Sequence, residues 1–302
     1  MKILVTGLSG LVGSRFTELL GDKYQFEEIS RSSGVDITDA DSVYKAINSS
    51  LSTTVLHLAA KTNVDGCEKD KVTDKDLLDK KGDFTNRDTA WAINVWGTKN
   101  IVEACKKNGK KLIYVSTDFV FDGKKDAYTE RDIPNPINWY AKTKYEGEKL
   151  VQDSGLSWII ARAAYPYRAV FERKDFVRVL LDRLYRHERL TMVTDHIMVP
   201  TFIDDIVNAL DVLIRMEDTG TFHVVGSQPL SPYEAALKIA REFELDESMI
   251  YKTTRKEYFD DKAPRPFYLN LKNDKITKLG IRMSTFDEGL REVKSQIDSI
   301  HI

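Results

Sequence analysis

The sequence predicts an α/β protein built on a doubly wound parallel sheet, with a smaller C-terminal α+β lobe. Three observations carry that expectation. Residues 2–6, KILVT, form a short apolar strand that runs into TGLSGLVG (residues 6–13), with glycines three apart, and then into a helical pattern over residues 14–20. Further short apolar runs recur at residues 25–29, 53–58, 111–115 and 158–162, separated by helix-length segments, as crossovers between parallel strands require. A chain of 302 residues that is 42% hydrophobic can bury one elaborate core or two unequal ones. The expected organisation is Rossmann-like: a dinucleotide-binding domain over residues 1–165, then a mainly substrate-binding lobe over 166–302, with segments near 200–226 rejoining the first sheet.

The elements follow in order. In the first loop Gly7, Gly10 and Gly13 let backbone approach a pyrophosphate, and Ser9, Leu11 and Val12 bring it to the positive N-terminus of the helix. The second strand ends in Ser30-Arg31-Ser32-Ser33 rather than in an acidic residue. An acidic side chain there would hold the ribose hydroxyls of NAD, whereas arginine suits the 2′-phosphate of NADP. NADP is therefore the preferred cofactor and NAD the alternative, with Arg31 as a plain solvated loop residue left open. Asp36 and Ile37 fall beside the adenine, while Thr38 or Asp39 can cap a helix over residues 40–47. The third strand ends in His57-Leu58-Ala59-Ala60; the small residues let backbone lie against a cofactor, and His57 reads as a core histidine. Thr62 and Val64 open the loop on the carboxyl side of the sheet, where α/β ligands bind. Residues 66–86 are densely charged with mixed sign and are expected to be a solvated insertion with one short helix, or a lid. Residues 88–108 then read as one helix, with Asn94 either a satisfied buried amide or an anchor for backbone near the site.

Residues 116–148 hold the chemistry. Thr117 ends an apolar strand, and Tyr140 and Lys144 stand four apart on a helix that follows Pro134 and Pro136, so both side chains project from one face. A free tyrosine, with a pKa of about 10, exchanges protons poorly at neutral pH. A neighbouring ammonium is expected to lower it, and the Thr117 hydroxyl can polarise the same substrate oxygen. Tyrosine and lysine at this spacing are also common on solvated helix faces, so the glycine loop at the N-terminus is what gives the pair weight.

Downstream, a strand at 158–162 opens through Ala163-Ala164-Tyr165-Pro166 toward the cofactor. Residues 176–187 form a basic amphipathic helix and 190–193 a short strand; Pro200-Thr201, the helix to Arg215 and residues 222–225 return to the main sheet. Ser231-Pro232 starts another helix, with proline in its first turn. A net charge of −2 gives no electrostatic case for nucleic acid or an acidic membrane. The apolar runs fall short of the about 18 residues needed to span a bilayer. Two cysteines, Cys67 and Cys105, fit a reducing cytoplasm, and five scattered histidines lack zinc-type spacing, so no metal site is expected. The strand and glycine loop that begin at Lys2 leave no room for a signal peptide.

Taken together, these segments resemble the extended short-chain dehydrogenase/reductase family over nearly the whole chain, and within it the dTDP-4-dehydrorhamnose reductase family. The likeness is carried by TGLSGLVG, HLAA (57–60) with KTNVD (61–65), STDFVFDG (116–123), YTERDIPNP (128–136), YAKTK (140–144) with Gly147 and Glu148, Pro200-Thr201 and Arg265-Pro266. The resemblance implies a catalytic triad of Thr117, Tyr140 and Lys144. Tyr140 would protonate the C4 oxygen as hydride reaches C4, Lys144 would hold the nicotinamide ribose and Thr117 would orient the ketone. It places Ser116, Tyr140, Lys144, Ala163 and Tyr165 beside the cofactor, and Val64, Asp118, Phe119, His196 and Arg265 against a nucleotide-sugar substrate, in a cytoplasmic enzyme able to form a homodimer. Phe119 stands where the sugar-nucleotide dehydratases of the superfamily carry an acidic residue, which favours a simple reductase. Three departures fall where the family binds sugar and nicotinamide: Ala141 in place of glycine, Ala163-Ala164-Tyr165 in place of Thr-Ser-Trp, and Asp195-His196 before Pro200-Thr201 in place of Asp-Gln-Phe-Gly. They leave open a different 4-keto sugar nucleotide, a sugar-nucleotide epimerase, or a non-catalytic, NADP-binding regulatory subunit like the beta subunit of methionine adenosyltransferase.

Overall fold

A computed structural model describes residues 1–79 and 86–300. In chain order the strands are β1 (Lys2–Thr6), β2 (Gln25–Ile29), β3 (Thr54–His57), β4 (Lys111–Thr117), β5 (Trp158–Ala163), β6 (Pro166–Tyr167), β7 (Leu190–Val193), β8 (Thr201–Phe202), β9 (Gly220–Val224) and β10 (Ile250–Thr253). The α-helices are α1 (Leu11–Leu20), α2 (Ala40–Ser49), α3 (Val64–Asp79), α4 (Thr98–Lys107), α5 (Trp139–Gln152), α6 (Phe176–Tyr185), α7 (Ile203–Arg215), α8 (Pro232–Glu242), α9 (Arg255–Tyr258), α10 (Asp274–Thr277) and α11 (Phe286–Ile300). Two units divide the chain: Met1–Val120, Pro134–Ala161 and Leu210–Thr221 form the first, and Phe121–Ile133, Arg162–Ala209 and Phe222–Ile302 the second.

The main sheet has six strands in the order β2-β1-β3-β4-β5-β9, the parallel doubly wound arrangement that the sequence predicts. β1 pairs in parallel with β2 from Lys2↔Gln25 to Thr6↔Ile29, and on its other side with β3 from Leu4↔Val55 to Thr6↔His57. The chain thus leaves β1 in one direction and returns to the sheet in the other, which opens a crevice at the carboxyl ends of β1 and β3. Every residue of β3 is buried, as expected for a parallel strand covered on both faces. Val43 and Ile47 of α2 and Ile101 and Cys105 of α4 fill the core beside Leu4 and Leu112. Asp39 supplies the cap of α2, accepting from Ser42 N at 3.0 Å.

Two expectations for this unit are corrected. The charged stretch from residue 66 is no solvated insertion: residues 64–79 form α3, in which Cys67 and Asp74 are fully buried. Three of its acidic side chains meet N–H donors. Glu68 accepts from Trp139 N at 2.7 Å, Asp74 from Trp139 Nε1 at 2.6 Å and Trp91 N at 3.2 Å, and Asp70 from Ala90 N at 2.8 Å. Residues 80–85 of the same stretch lie outside the described residues. The single helix expected at 88–108 is also interrupted, because Ala92–Gly97 takes π-helical geometry before α4 begins. A widened turn shifts which residues face inward, and here Asn94 is buried together with Ala92, Val95 and Gly97.

In the second unit β6 pairs with β8 and β7 with β10, both in parallel. Thr201 and Phe202 therefore belong to a two-stranded sheet with Pro166 and Tyr167; only β9 of the 200–226 region joins the main sheet. Leu181, Leu184, Ile239, Phe286 and Leu290 of α6, α8 and α11 share one core. α8 starts as its sequence predicts, with Pro232 behind a reciprocal Ser231–Glu234 capping box.

Candidate active site

The glycine loop leaves β1 at the crevice. Gly7 has φ +71°, and a Cβ on it would stand 2.8 Å from Ala59 N; one on Gly13 would stand 2.5 Å from Gly7 O. Only glycine permits this approach of backbone to backbone. Thr6 joins the two loops, accepting from Leu58 N through its carbonyl at 3.1 Å and from Ala59 N through its hydroxyl at 3.0 Å. Gly10 caps α1 without a side-chain hydrogen bond, and Ser9, Leu11 and Val12 are partly or fully exposed around it. Such a cradle, with first-turn N–H groups facing outward, fits a pyrophosphate. Ala60, Thr62 and Val64 continue from β3 along the same end of the sheet. His57 is a core residue: its ring nitrogens meet Thr6 Oγ1 at 2.6 Å and Thr98 Oγ1 at 3.1 Å, and burial, aided by the Lys144 charge, lowers it to about 3.

After β2, the exposed Arg31 guanidinium reaches Asp36 at 3.0 Å and Asp88 at 2.6 Å, while the Ser30 and Ser32 hydroxyls lie 2.7 Å apart. Asp36 is further engaged by the N–H and hydroxyl of Thr38, at 2.9 and 2.8 Å. Ile37 is buried against Gly97.

β4 delivers Ser116 and Thr117, both buried, into a 3-10 turn, Asp118–Val120. α5 delivers Tyr140 and Lys144; its cap is Asn138, which accepts from Ala141 N at 2.9 Å. The Tyr140 hydroxyl lies close enough to Thr117 for that hydroxyl to influence its titration, and its ring meets Phe119 edge-on at 6.2 Å. Thr117 Oγ1 in turn lies 3.0 Å from Asp118 Oδ1 and accepts from Phe119 N at 3.2 Å. Burial raises Asp118 to about 7.

The expected lowering of Tyr140 by Lys144 is not what this geometry gives. Burial raises the Tyr140 hydroxyl, the neighbouring Thr117 hydroxyl opposes that rise, and the Asp118 charge adds to it. Lys144 shares the helix face, but its long stem carries Nζ to Val115 O, at 2.8 Å, and over the Tyr114 ring, 4.0 Å from its centroid. A buried ammonium needs an acceptor, and the end of β4 supplies one. Burial nonetheless lowers Lys144 to about 7, against the opposing charge of Glu148 one turn further along α5.

Asn94 ties this cluster together. It accepts from Lys61 N at 2.8 Å and donates to Lys61 O at 3.0 Å and to Thr143 Oγ1 at 2.9 Å, and Thr143 Oγ1 donates to Tyr140 O at 2.8 Å. It is both the satisfied amide and the anchor that the sequence left as alternatives. Thr143 and Glu68 are further residues at the site that the sequence did not point to. A buried polar side chain on an otherwise apolar face was the available signal for Asn94 only.

In the second unit Tyr165, at φ +41°, lies 3.3 Å through its hydroxyl from His196 Nε2. His196 faces Phe259 at 6.5 Å, and the Arg265 guanidinium stands 5.4 Å from the same ring. Burial, with the nearby Arg255 charge, lowers His196 to about 4. Three residues expected from sequence thus cluster through an aromatic that was not, Phe259; Ala163 is the last residue of β5.

A family model described as the RmlD substrate binding domain matches residues 1–299. Methionine adenosyltransferase 2 subunit beta of Mus musculus is 29% identical over 312 residues, covering 96% of this chain and 86% of that protein. The dTDP-4-dehydrorhamnose reductase of Aggregatibacter actinomycetemcomitans is 30% identical over 246 residues, covering 79% of this chain and 78% of that protein. Among solved structures, dTDP-4-dehydrorhamnose reductase from Bacillus anthracis in complex with NADP superposes with a TM-score of 0.86 at 27% identity, covering 98% of this chain and 99% of that one.

Proposed function

Since the chain belongs to the RmlD substrate binding domain family, within the extended short-chain dehydrogenases/reductases, we propose that it reduces the C4 ketone of a nucleotide-linked 4-keto-6-deoxy sugar. The observation that carries the proposal is the buried hydroxyl pair Thr117–Tyr140 with Lys144 on the same face of α5. A bound nicotinamide cofactor supplies the hydride. Tyr140 Oη gives its proton to the C4 oxygen, Thr117 holds that oxygen in place, and Lys144 holds the nicotinamide ribose. The glycine cradle, Leu58–Ala60 and Ser116 seat the cofactor; Val64, Phe119, His196 and Arg265 are the proposed sugar-nucleotide contacts. Burial keeps the Tyr140 proton in place at neutral pH, as a proton donor in the reducing direction needs.

NADPH is the proposed donor. An arginine after β2 that already draws in two carboxylates would meet a 2′-phosphate with the same charge complementarity. The setting proposed is a cytoplasmic homodimer with neither nucleic acid nor membrane as partner; among the described residues no helix is long and apolar enough to cross a membrane.

The test follows nicotinamide absorbance while the protein meets dTDP-4-dehydro-6-deoxy-L-mannose, with NADPH and NADH in separate runs and Tyr140→Phe alongside. Substrate-dependent oxidation, faster with NADPH and lost in Tyr140→Phe, is the expected result. The likeness to a methionine adenosyltransferase subunit over 96% of the chain favours a second role, binding of a partner enzyme. Tight cofactor binding without turnover of any 4-keto sugar nucleotide would overturn the reductase in favour of that role.

A further inference from the structure

We propose that Asp118, in its neutral form, is a positioning residue that turns the Thr117 hydroxyl toward Tyr140 and the substrate oxygen, so that turnover requires a protonated Asp118. The proposal rests on the reductase assignment above, and it follows from a count of hydrogens. Thr117, Asp118 and Tyr140 are buried, at 7%, 2% and 9% exposed. A hydroxyl has one proton to donate and two lone pairs. Phe119 N takes one lone pair of Thr117 Oγ1, at 3.2 Å. The other lone pair and the proton are left for Asp118 Oδ1, at 3.0 Å, and for the neighbouring Tyr140 hydroxyl, whose titration Thr117 influences.

If Asp118 is ionised it can only accept. The Thr117 proton is then committed to Asp118, and the Tyr140 hydroxyl donates back to Thr117. In that state Thr117 has nothing to offer a ketone, and the Tyr140 proton points away from it. If Asp118 is neutral the chain reverses. Asp118 O–H donates to Thr117 Oγ1, Thr117 donates onward, and the Tyr140 proton is released for the C4 oxygen. In turnover the Tyr140 O–H bond breaks as the C4 O–H bond forms and hydride reaches C4; the phenolate left behind accepts from Thr117, and solvent restores its proton when product leaves. Asp118 keeps its own proton throughout.

The surroundings favour the neutral acid. Asp118 Oδ2 is buried with no hydrogen-bond partner among the described residues, which a carbonyl-type oxygen tolerates better than a carboxylate oxygen does. Burial raises the group to about 7, against the Thr117 hydroxyl and local backbone N–H groups. The titratable groups around the cluster are Tyr140 and Lys144 from α5 and Cys67 from α3. Tyr140 is raised, and burial pushes the Cys67 thiol up to about 12, so both stay neutral. Lys144, also near 7, is turned to Val115 O.

The test compares the pH dependence of kcat in wild type and Asp118→Asn. Asparagine presents a permanent N–H to Thr117 and a carbonyl oxygen in place of Oδ2. Wild-type kcat is expected to fall about tenfold per pH unit above the Asp118 pKa; Asp118→Asn is expected to lose that limb. An unchanged limb in Asp118→Asn would overturn the proposal and point to Lys144. A folded, cofactor-binding variant whose acid-side kcat falls more than about a hundredfold would overturn it too, since the carboxyl would then act beyond orientation. Infrared difference titration of the wild type needs no turnover. A protonated-carboxyl C=O band below neutrality, absent from Asp118→Asn, is expected; its absence from wild type overturns the proposal even if the substrate assignment stands, whereas the band without sugar turnover sinks only the reductase.

Discussion

Replacing Asn94 with alanine tests how the site is held. The side chain is 1% exposed and makes three hydrogen bonds, to Lys61 N, Lys61 O and Thr143 Oγ1. Each is worth about 1 kcal/mol net, and the Lys61 groups are left without it in a partly buried place. The summed cost is about 3 kcal/mol, with a small cavity adding to it. That is a large fraction of the about 5–15 kcal/mol by which a domain is stable. Function should suffer separately. Thr143 Oγ1 donates to Tyr140 O, so Asn94 reaches the first turn of α5 through one hydroxyl, and its loss frees the helix end that carries Tyr140. Guanidinium denaturation should show the destabilisation, and kcat measured well below the unfolding midpoint should fall about tenfold or more. Asn94→Asp separates shape from polarity: it keeps the acceptor for Lys61 N but sets a carboxylate against Lys61 O, so its cost should approach that of alanine. A loss below about 1 kcal/mol with kcat unchanged would refute the anchoring role.

Three other outcomes follow from the same geometry. In Gly13→Ala the new Cβ meets Gly7 O at 2.5 Å and Leu8 O at 2.6 Å, so the loop backbone must shift; nicotinamide cofactor affinity, read by fluorescence titration, should fall at least about tenfold, and unchanged affinity would remove the loop from the cofactor site. Trp139→Phe deletes the donor that meets the buried Asp74 carboxylate at 2.6 Å and should cost about 2–3 kcal/mol in denaturation, whereas a neutral result would show that α3 does not secure α5. Acid should weaken the fold before carboxylates titrate. Burial, first among the causes, depresses His57 and His223 to about 3 and His196 to about 4 from 6.5, so the unfolded chain binds more protons; the stability these neutral rings contribute is full above about 6.5 and is lost as pH falls toward their folded values, by up to about 1.4 kcal/mol per pH unit for each. A denaturation midpoint unchanged between pH 7 and pH 5 would contradict that.

What the sequence made legible and what it hid differ by the range of the interactions concerned. The glycine loop, the strand ends and the Ser231–Glu234 cap are local: a φ of +71° at Gly7, or a cap three residues from its partner, is specified by neighbours along the chain. The six-stranded sheet was legible for the same reason, since each strand announces its own burial. α3 was not legible, because its mixed charges have no apolar stripe wide enough to mark a packed helix. Its partners, Ala90, Trp91 and Trp139, lie 17 to 71 residues away, and only their N–H groups explain why Glu68, Asp70 and Asp74 face inward. The tyrosine and lysine show the same division within a single motif. Their spacing of four fixes the shared face of α5, yet it cannot tell that Lys144 has an acceptor at Val115 O, 29 residues earlier. Nor can it tell that the residue after Thr117 is buried deeply enough to hold a proton near neutrality. A family motif therefore names the groups at such a site, while their protonation is set by which long-range partners the fold brings to them. For this chain burial brings Asp118 and Lys144 to about 7 and raises Tyr140, so the two groups a pH profile has to tell apart are Asp118 and Lys144.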